Sequence, residues 1–396
     1  MRAELESLLK LVVDAGASDL HLTAGVPAVL RVHGRLWRLP ELARQGPEKA
    51  LEAAADFLAR TPSWAAPPSP DDLLTLAQAV LTRPEHKKRW EEKGSCDLAL
   101  SVAGVSRFRV NVFRQRGCAA LAVRNLASRV PSLEELFFHQ PGLVEAVRRF
   151  ALLPRGLMLV TGSTGSGKST TLAAMVDCLV GVEPRHVVTL EDPIEYLLRH
   201  GCGVVNQREV GEDVSGFAEG LRAALREDPD VIVVGEMRDA ETIGAALTAA
   251  ETGHLVLSTL HTRAAVDAVT RIVDVFPPHQ QDQVRVQLAG ALQGVLAQQL
   301  LPRVDGSGRV VAVEVLVATT AVRAMIRDRR VQEIPSAVQT GAQHGMVPMD
   351  HALADLVRSG LVALEEARAR AVDVQLFESY LSAPGGQGDV ACRTGF

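Results

Sequence analysis

The 396-residue sequence predicts an α/β protein: a mainly parallel sheet with helices on its faces, preceded by a small α+β domain and followed by C-terminal helices. Three observations lead there. Short apolar runs at Gly156–Val160, His186–Leu190, Val231–Val234 and Leu255–Leu260 alternate with helical patterns, as strands of a parallel sheet do when both faces are covered. Ahead of them, helix and strand patterns succeed one another up to about Asn125, the order of a small α+β unit. From about Thr320 the pattern is wholly helical.

The leading segment begins with apolar Leu5, Leu8, Leu9, Val12 and Val13 at helical spacing, then short strands around 19–22, 28–32 and 36–37. Residues 48–60 suit an Ala-rich helix, and the proline-rich stretch Thr61–Pro70 suits a stiff surface loop. The Ala/Pro-rich stretch at about 43–70 reads as an insertion. One helix from about Asp71 to Lys93 and strands at 97–102, 107–113 and 119–123 complete a domain of residues 1–125. Residues 126–150, broken by Pro131, Pro141 and Gly142, read as a linker. The main domain then spans 151–319, C-terminal helices 320–383, and a Gly-rich tail 384–396 is expected to be disordered.

Composition narrows the function. With 47% hydrophobic and 22% charged residues a substantial core can form. A net charge of −5 and only 4% aromatics disfavour a motor that tracks nucleic acid, which would carry basic and stacking groups. The five cysteines, Cys96, Cys118, Cys178, Cys202 and Cys392, form no CxxC pair and suit free, mostly buried thiols of a reducing compartment. The first ten residues include Glu4 and Glu6 and lack a long apolar core, so neither a signal peptide nor direct membrane insertion is expected. The sequence therefore predicts a cytoplasmic protein that meets a membrane only through partners.

The chemistry is carried by Gly162, Ser163, Thr164, Gly165, Ser166, Gly167, Lys168 and Ser169, which fit GxxxxGK[ST] at a predicted strand-to-helix junction. Glycines there let backbone amides face a phosphate, and the helix dipole adds positive charge at the same point. Lys168 would reach the β- and γ-phosphates, and the Ser169 hydroxyl would ligate Mg²⁺; Thr170 follows at the helix start. A second strand runs into Glu191, Asp192 and Glu195, where a carboxylate could polarise an attacking water, although a solvated acidic turn reads the same way. The third strand ends at Glu236, placed to hold Mg²⁺. His254 and His261 bracket the fourth strand at offsets that disfavour a shared zinc; each is either a satisfied structural histidine or a contact to nucleotide.

Together these residues resemble the PilT family of type IV pilus retraction ATPases, in the secretion ATPase superfamily. The resemblance rests on Gly16–Leu22 (GASDLHL), Arg107–Asn111 (RFRVN), the phosphate loop, Glu191–Glu195 (the family's "Asp box"), Asn206–Val210, Leu225–Asp239 and Ala249–Thr262 (the "His box"). It implies a PAS-like first domain, a RecA-like P-loop ATPase domain, and a homo-hexamer that binds ATP between subunits and acts on an inner-membrane pilus platform protein, possibly beside a second retraction ATPase. Glu195 then matches the catalytic glutamate, with Glu191 the less favoured candidate, Glu236 the Walker B acid, and His254 and His261 the nucleotide-responsive histidines. Arg109 and Arg124 match arginines presented to nucleotide from the first domain. The segment Ala321–Asp328 (AVRAMIRD) resembles the family's AIRNLIRE, with Ala324 in place of asparagine. The chain lacks the four-cysteine zinc module of extension and type II secretion ATPases, which favours retraction; an accessory retraction ATPase or a type II secretion-type ATPase is the alternative within the class. A regulatory ATP-binding protein is the alternative of another class.

Overall fold

The computed structural model describes residues 2–126 and 129–383. The chain divides into two units, Met1–Arg129 and Val130–Phe396, each with its own sheet.

In the first unit six strands pair antiparallel in the order β3-β2-β1-β6-β5-β4: β1 (Asp19–Thr23), β2 (Val26–Val32), β3 (Arg35–Arg38), β4 (Ser95–Val102), β5 (Ser106–Gln115) and β6 (Cys118–Asn125). Strand alternation sends Leu20, Leu22, Leu30, Phe108, Val110, Val112, Leu121 and Val123 into one core with the helix Arg2–Asp14. The intervening residues Asp19, Arg31, Arg109 and Arg124 stay on the solvent side.

Two expectations for this unit need correction. The expected helix 48–60 is present as Glu48–Arg60, but Thr61–Pro70 is not simply a surface loop: a 3₁₀ turn Pro62–Ala65 carries Trp64 into the core beside Leu42 and Phe57. Prolines suggested a loop there, but proline at a helix's first position loses no hydrogen bond, and Trp64 supplies a large apolar surface. The expected single helix 71–93 is two, Pro70–Val80 and Pro84–Lys93. Pro84 forces Arg83 into an extended conformation (φ −87°, ψ 146°), which a helix cannot continue through.

The expected linker also differs. From Val130 onward the chain belongs to the second unit. Ser132 and Glu135 form a reciprocal cap on the helix Leu133–Leu136, and a second helix spans Pro141–Ala151. Leu133, Phe137, Leu143, Val147 and Phe150 from this stretch are buried against the main sheet. The breakers mark helix starts rather than free chain.

That sheet has seven strands in the order β13-β12-β7-β11-β10-β8-β9. They are β7 (Gly156–Thr161), β8 (His186–Glu191), β9 (Val204–Glu209), β10 (Val231–Val234), β11 (Leu255–Leu260), β12 (Leu292–Pro302) and β13 (Arg309–Val317). All pairings are parallel except β12 with β13. Leu157, Leu159, Ile232, Val234 and Val256 enter one core, and Met158, Val160, Val231, Val233, Leu255 and Leu257 the core of the opposite face. Coverage on both sides is why these strands are continuously apolar. Helices follow from Thr320 to Ser382, with Val322 and Ile326 buried. The expected tail 384–396 lies outside the described residues.

Of the four described cysteines, all free, only Cys96 is buried and Cys202 is exposed, so the expectation of mostly buried thiols does not hold. Among the described residues no helix is long and apolar enough to cross a membrane.

Trp64→Ala should destabilise the first unit by about 3–5 kcal/mol, the usual cost of deleting a buried aromatic. Denaturant unfolding followed on the full chain checks this; a change confined to a few tenths would mean that the 43–70 segment is peripheral.

Candidate active site

Parallel pairing brings the C-terminal ends of β7, β8, β10 and β11 to one edge of the sheet, where ligands of open α/β sheets bind. Gly162 leaves β7 at φ 149°, and a Cβ there would stand 2.4 Å from Ser166 Oγ and 2.5 Å from Gln298 O. Only glycine fits. Gly167, at φ 92°, opens the helix Lys168–Val182, whose first turn receives no side-chain cap. Its amides therefore remain available to an anion. Ser166 Oγ is buried without a hydrogen-bond partner, a further polar atom turned into the loop. Ser169 is exposed at the helix start. Loop shape, uncapped amides and the orphaned hydroxyl fit a bound polyphosphate.

Lys168 is 8% exposed, and its Nζ donates to Gly162 O and Ser163 O, each at 3.0 Å. Burial lowers its pKa from the ordinary lysine value, while the nearby carboxylates of Glu236 and Glu195 pull the other way. The loop cation and two of the expected acids thus share one neighbourhood.

The acids have different surroundings. Glu191 Oε1 accepts from Thr189 Oγ1 at 2.7 Å and Gln207 Nε2 at 2.9 Å, and its carboxylate also receives the Glu195 amide. Burial pushes the Glu191 carboxyl above its ordinary value against these bonds. Glu236 Oε1 meets His261 Nε2 at 3.2 Å and pairs with Arg238. Burial alone would raise Glu236, but the Arg238 hydrogen bond and the charges of His261 and Arg238 outweigh it and hold the carboxyl low.

The turn carrying Glu195 is held from β9. Gln207 Nε2 donates to Tyr196 O at 2.8 Å, its Oε1 accepts from Leu198 N at 2.8 Å, and Glu209 Oε2 accepts from Ile194 N at 3.2 Å. Tyr196 OH meets Thr170 Oγ1 at 2.9 Å, joining the turn to the phosphate-loop helix. Sequence reasoning quoted Asn206–Val210 without assigning it work. The signal available was two long polar side chains, Gln207 and Glu209, in a strand beside an acidic turn.

The two histidines part company. His261 follows β11 at the loop edge and contacts Glu236. His254 precedes β11 at the opposite edge: Leu255 pairs with Gly156, and His254 O accepts from Gly156 N at 3.0 Å. The intervening strand puts His254 ~20 Å from the loop at the usual rise. Its Nδ1 lies 3.0 Å from Ala249 O. Within this unit the structure does not bring His254 to the phosphate loop; its ring meets the end of the preceding helix.

Arg109 and Arg124 are direct cross-strand neighbours in the first unit's sheet. Arg124 Nε donates to Asp19 Oδ1 at 3.0 Å, and Arg109 Nε lies 3.7 Å from Asp97 Oδ1. Among the described residues no three His, Cys, Asp or Glu side chains converge on a metal position. A Mg²⁺ site of one or two protein oxygens completed by phosphate and water needs no such cluster.

A family model described as Type II/IV secretion system protein matches residues 81–369. The Pseudomonas aeruginosa "Type IV pilus retractation ATPase PilT" is 43% identical, covering 93% of this chain and 98% of that protein. The chain belongs to the PilT family of secretion ATPases. The P. aeruginosa "Type IV pilus ATPase PilU" is 37% identical over 93% of this chain and 88% of its own length. Among solved structures, "Crystal Structure of the Pilus Retraction Motor PilT and Bound ADP" is similar with a TM-score of 0.78 and 43% identity, covering 95% of this chain and 99% of that one.

Removing Arg238 leaves burial as the main influence on Glu236, so Arg238→Ala should move the acid limb of the pH–rate profile to higher pH. An unmoved limb would mean that Glu236 does not control it. His261→Ala should weaken ATP turnover by loosening Glu236, whereas His254→Ala should leave nucleotide affinity as in the wild type, measured by equilibrium binding.

Proposed function

We propose that this chain is an ATP-hydrolysing motor of type IV pilus retraction that works as a homo-hexamer. One observation carries the reading: a phosphate loop with a buried lysine and an uncapped helix start, at the sheet edge where the strands that lead to the acids also end. Membership of the PilT family, with relatives named for pilus retraction, supports the biological role.

In this reading the loop amides and Lys168 bind the triphosphate and neutralise charge that develops on the γ-phosphoryl group during transfer to water. Ser169 and Glu236 would hold Mg²⁺, which when bound screens the phosphate oxygens. Glu195 orients the attacking water and accepts its proton. Glu191 is less suited to that task, because its oxygens already receive Thr189, Gln207 and the Glu195 amide; it sets the turn that aims Glu195. His261 touches Glu236 and can report whether that carboxylate is engaged.

Arg109 and Arg124 act from a neighbouring subunit on bound nucleotide, a contribution worth ~10³–10⁵ in rate where arginines play it. Nucleotide-driven closure between subunits then does mechanical work on the inner-membrane platform and releases pilin from the fibre base. The ring works at the cytoplasmic side of the membrane through that platform, and a second retraction ATPase is a candidate co-worker.

Lys168→Ala should abolish turnover and nucleotide affinity together. Glu195→Gln should retain ATP binding and lose about 10²–10⁴ in kcat, the range for a general base. Phosphate release from size-resolved oligomers measures both, and full activity in either variant rejects the assignment. In cells, loss of the gene should give excess pili and no twitching; normal pili with a secretion defect would favour a secretion-type ATPase.

A further inference from the structure

Strand β13 carries one acid, Glu314, in an otherwise apolar run over residues 310–317. Glu314 stands opposite Ala297 of β12, Ala297 opposite Thr161 of β7, and Thr161 opposite Leu260 of β11. One row across the sheet therefore joins Glu314 to the level at which the phosphate loop leaves β7 and His261 leaves β11. An acid among aliphatic neighbours costs desolvation that a valine in the same place would not.

The Glu314 side chain is partly buried; its Oε1 accepts from Ala265 N at 2.7 Å, and its carboxylate also receives the Met349 amide. Burial pushes the carboxyl above its ordinary value against these two bonds, and the charges of Asp350 and Asp267 add to the rise. Ala265 and Met349 are the first residues of the helices Ala265–Asp274 and Met349–Arg358. The residues before them, Ala264 and Pro348, have no side-chain oxygen with which to cap a helix. Glu314 supplies from β13 what both helix starts lack locally, an acceptor and negative charge at the N-terminus.

We propose that Glu314 is a positioning residue for ATP hydrolysis: by holding the start of the helix Ala265–Asp274 it sets the bend that presents His261 to Glu236. Four residues, His261, Thr262, Arg263 and Ala264, separate Leu260 from Ala265. Sheet pairing fixes Leu260 and the Glu314 hydrogen bond fixes Ala265, so the bend is tied at both ends. Asp267 stiffens it further by accepting from Ala264 N at 3.3 Å. His261 is exposed on this bend, so packing does little to aim its ring. Its contact with Glu236 at 3.2 Å depends on the backbone that carries it. The inference rests on the ATPase reading and deepens it: Glu314 acts through His261 and not on the nucleotide.

The test is a double-mutant cycle on the full chain, reading kcat for ATP and equilibrium affinity for ADP. Glu314→Met keeps the volume and removes both acceptor oxygens; Glu314→Gln keeps one oxygen for two amides. Glu314→Met should lower kcat about 10-fold, as loss of an outer-shell partner does, with ADP affinity as in the wild type. Glu314→Gln should fall between Met and the wild type. In a His261→Ala background neither substitution should lower kcat further, because the residue through which Glu314 acts is already gone. A wild-type kcat in Glu314→Met overturns the proposal. Losses that multiply with that of His261→Ala overturn it too, as do kcat and ADP affinity falling together, which is the mark of a purely structural cap. Should Glu314→Met not fold, the cycle runs with Glu314→Gln, and a wild-type kcat in that variant overturns the proposal equally. A wild type that does not turn over ATP overturns the ATPase reading itself.

Discussion

Parallel strand register is the constraint on which the rest depends. Because β7, β8, β10 and β11 run the same way and pair in step, their C-terminal ends deliver the phosphate loop, Glu195, Glu236 and His261 to one edge. The same register carries His254 to the other edge. A single antiparallel strand among these four would scatter the constellation. The apolar continuity of the strands, set by cover on both faces, is what enforces the arrangement.

Within that edge the polar groups are ranked by their surroundings. Glu191 and Glu236 are both carboxylates at strand ends, yet burial pushes the first up and Arg238 with His261 holds the second down. Like groups at one edge thus meet opposite surroundings, Glu191 fixed among hydrogen-bond donors and Glu236 paired with Arg238 and His261. Between them, β9 acts as a brace: Gln207 and Glu209 satisfy the backbone of the turn that carries Glu195. An unbraced turn of this kind would leave buried amides without partners and its glutamate without a fixed aim.

Much of the site was legible in the sequence because its parts are local. A glycine-rich loop at a strand-to-helix junction needs particular backbone angles, and Gly162 and Gly167 declare them. The strands β7, β8, β10 and β11 were legible from apolar runs of the right length. The brace was not, since Gln207 and Glu209 gain meaning only once β9 pairs with β8. The 61–70 and 126–150 segments misled for one reason: proline and glycine mark the starts of helices as readily as the course of loops. Trp64, Phe137 and Phe150 outweigh those breakers by finding cores to enter.

By itself the sequence determined the parallel strands β7, β8, β10 and β11, the phosphate loop and the family, since each is written in contiguous residues of specific type. Tertiary structure alone decided which of two equally spaced histidines reaches the acids, what steadies Glu195, and what caps the helix after His261. Those outcomes depend on strand order and direction. Residues far apart in the chain become neighbours only when the sheet is assembled, and no local pattern records that assembly.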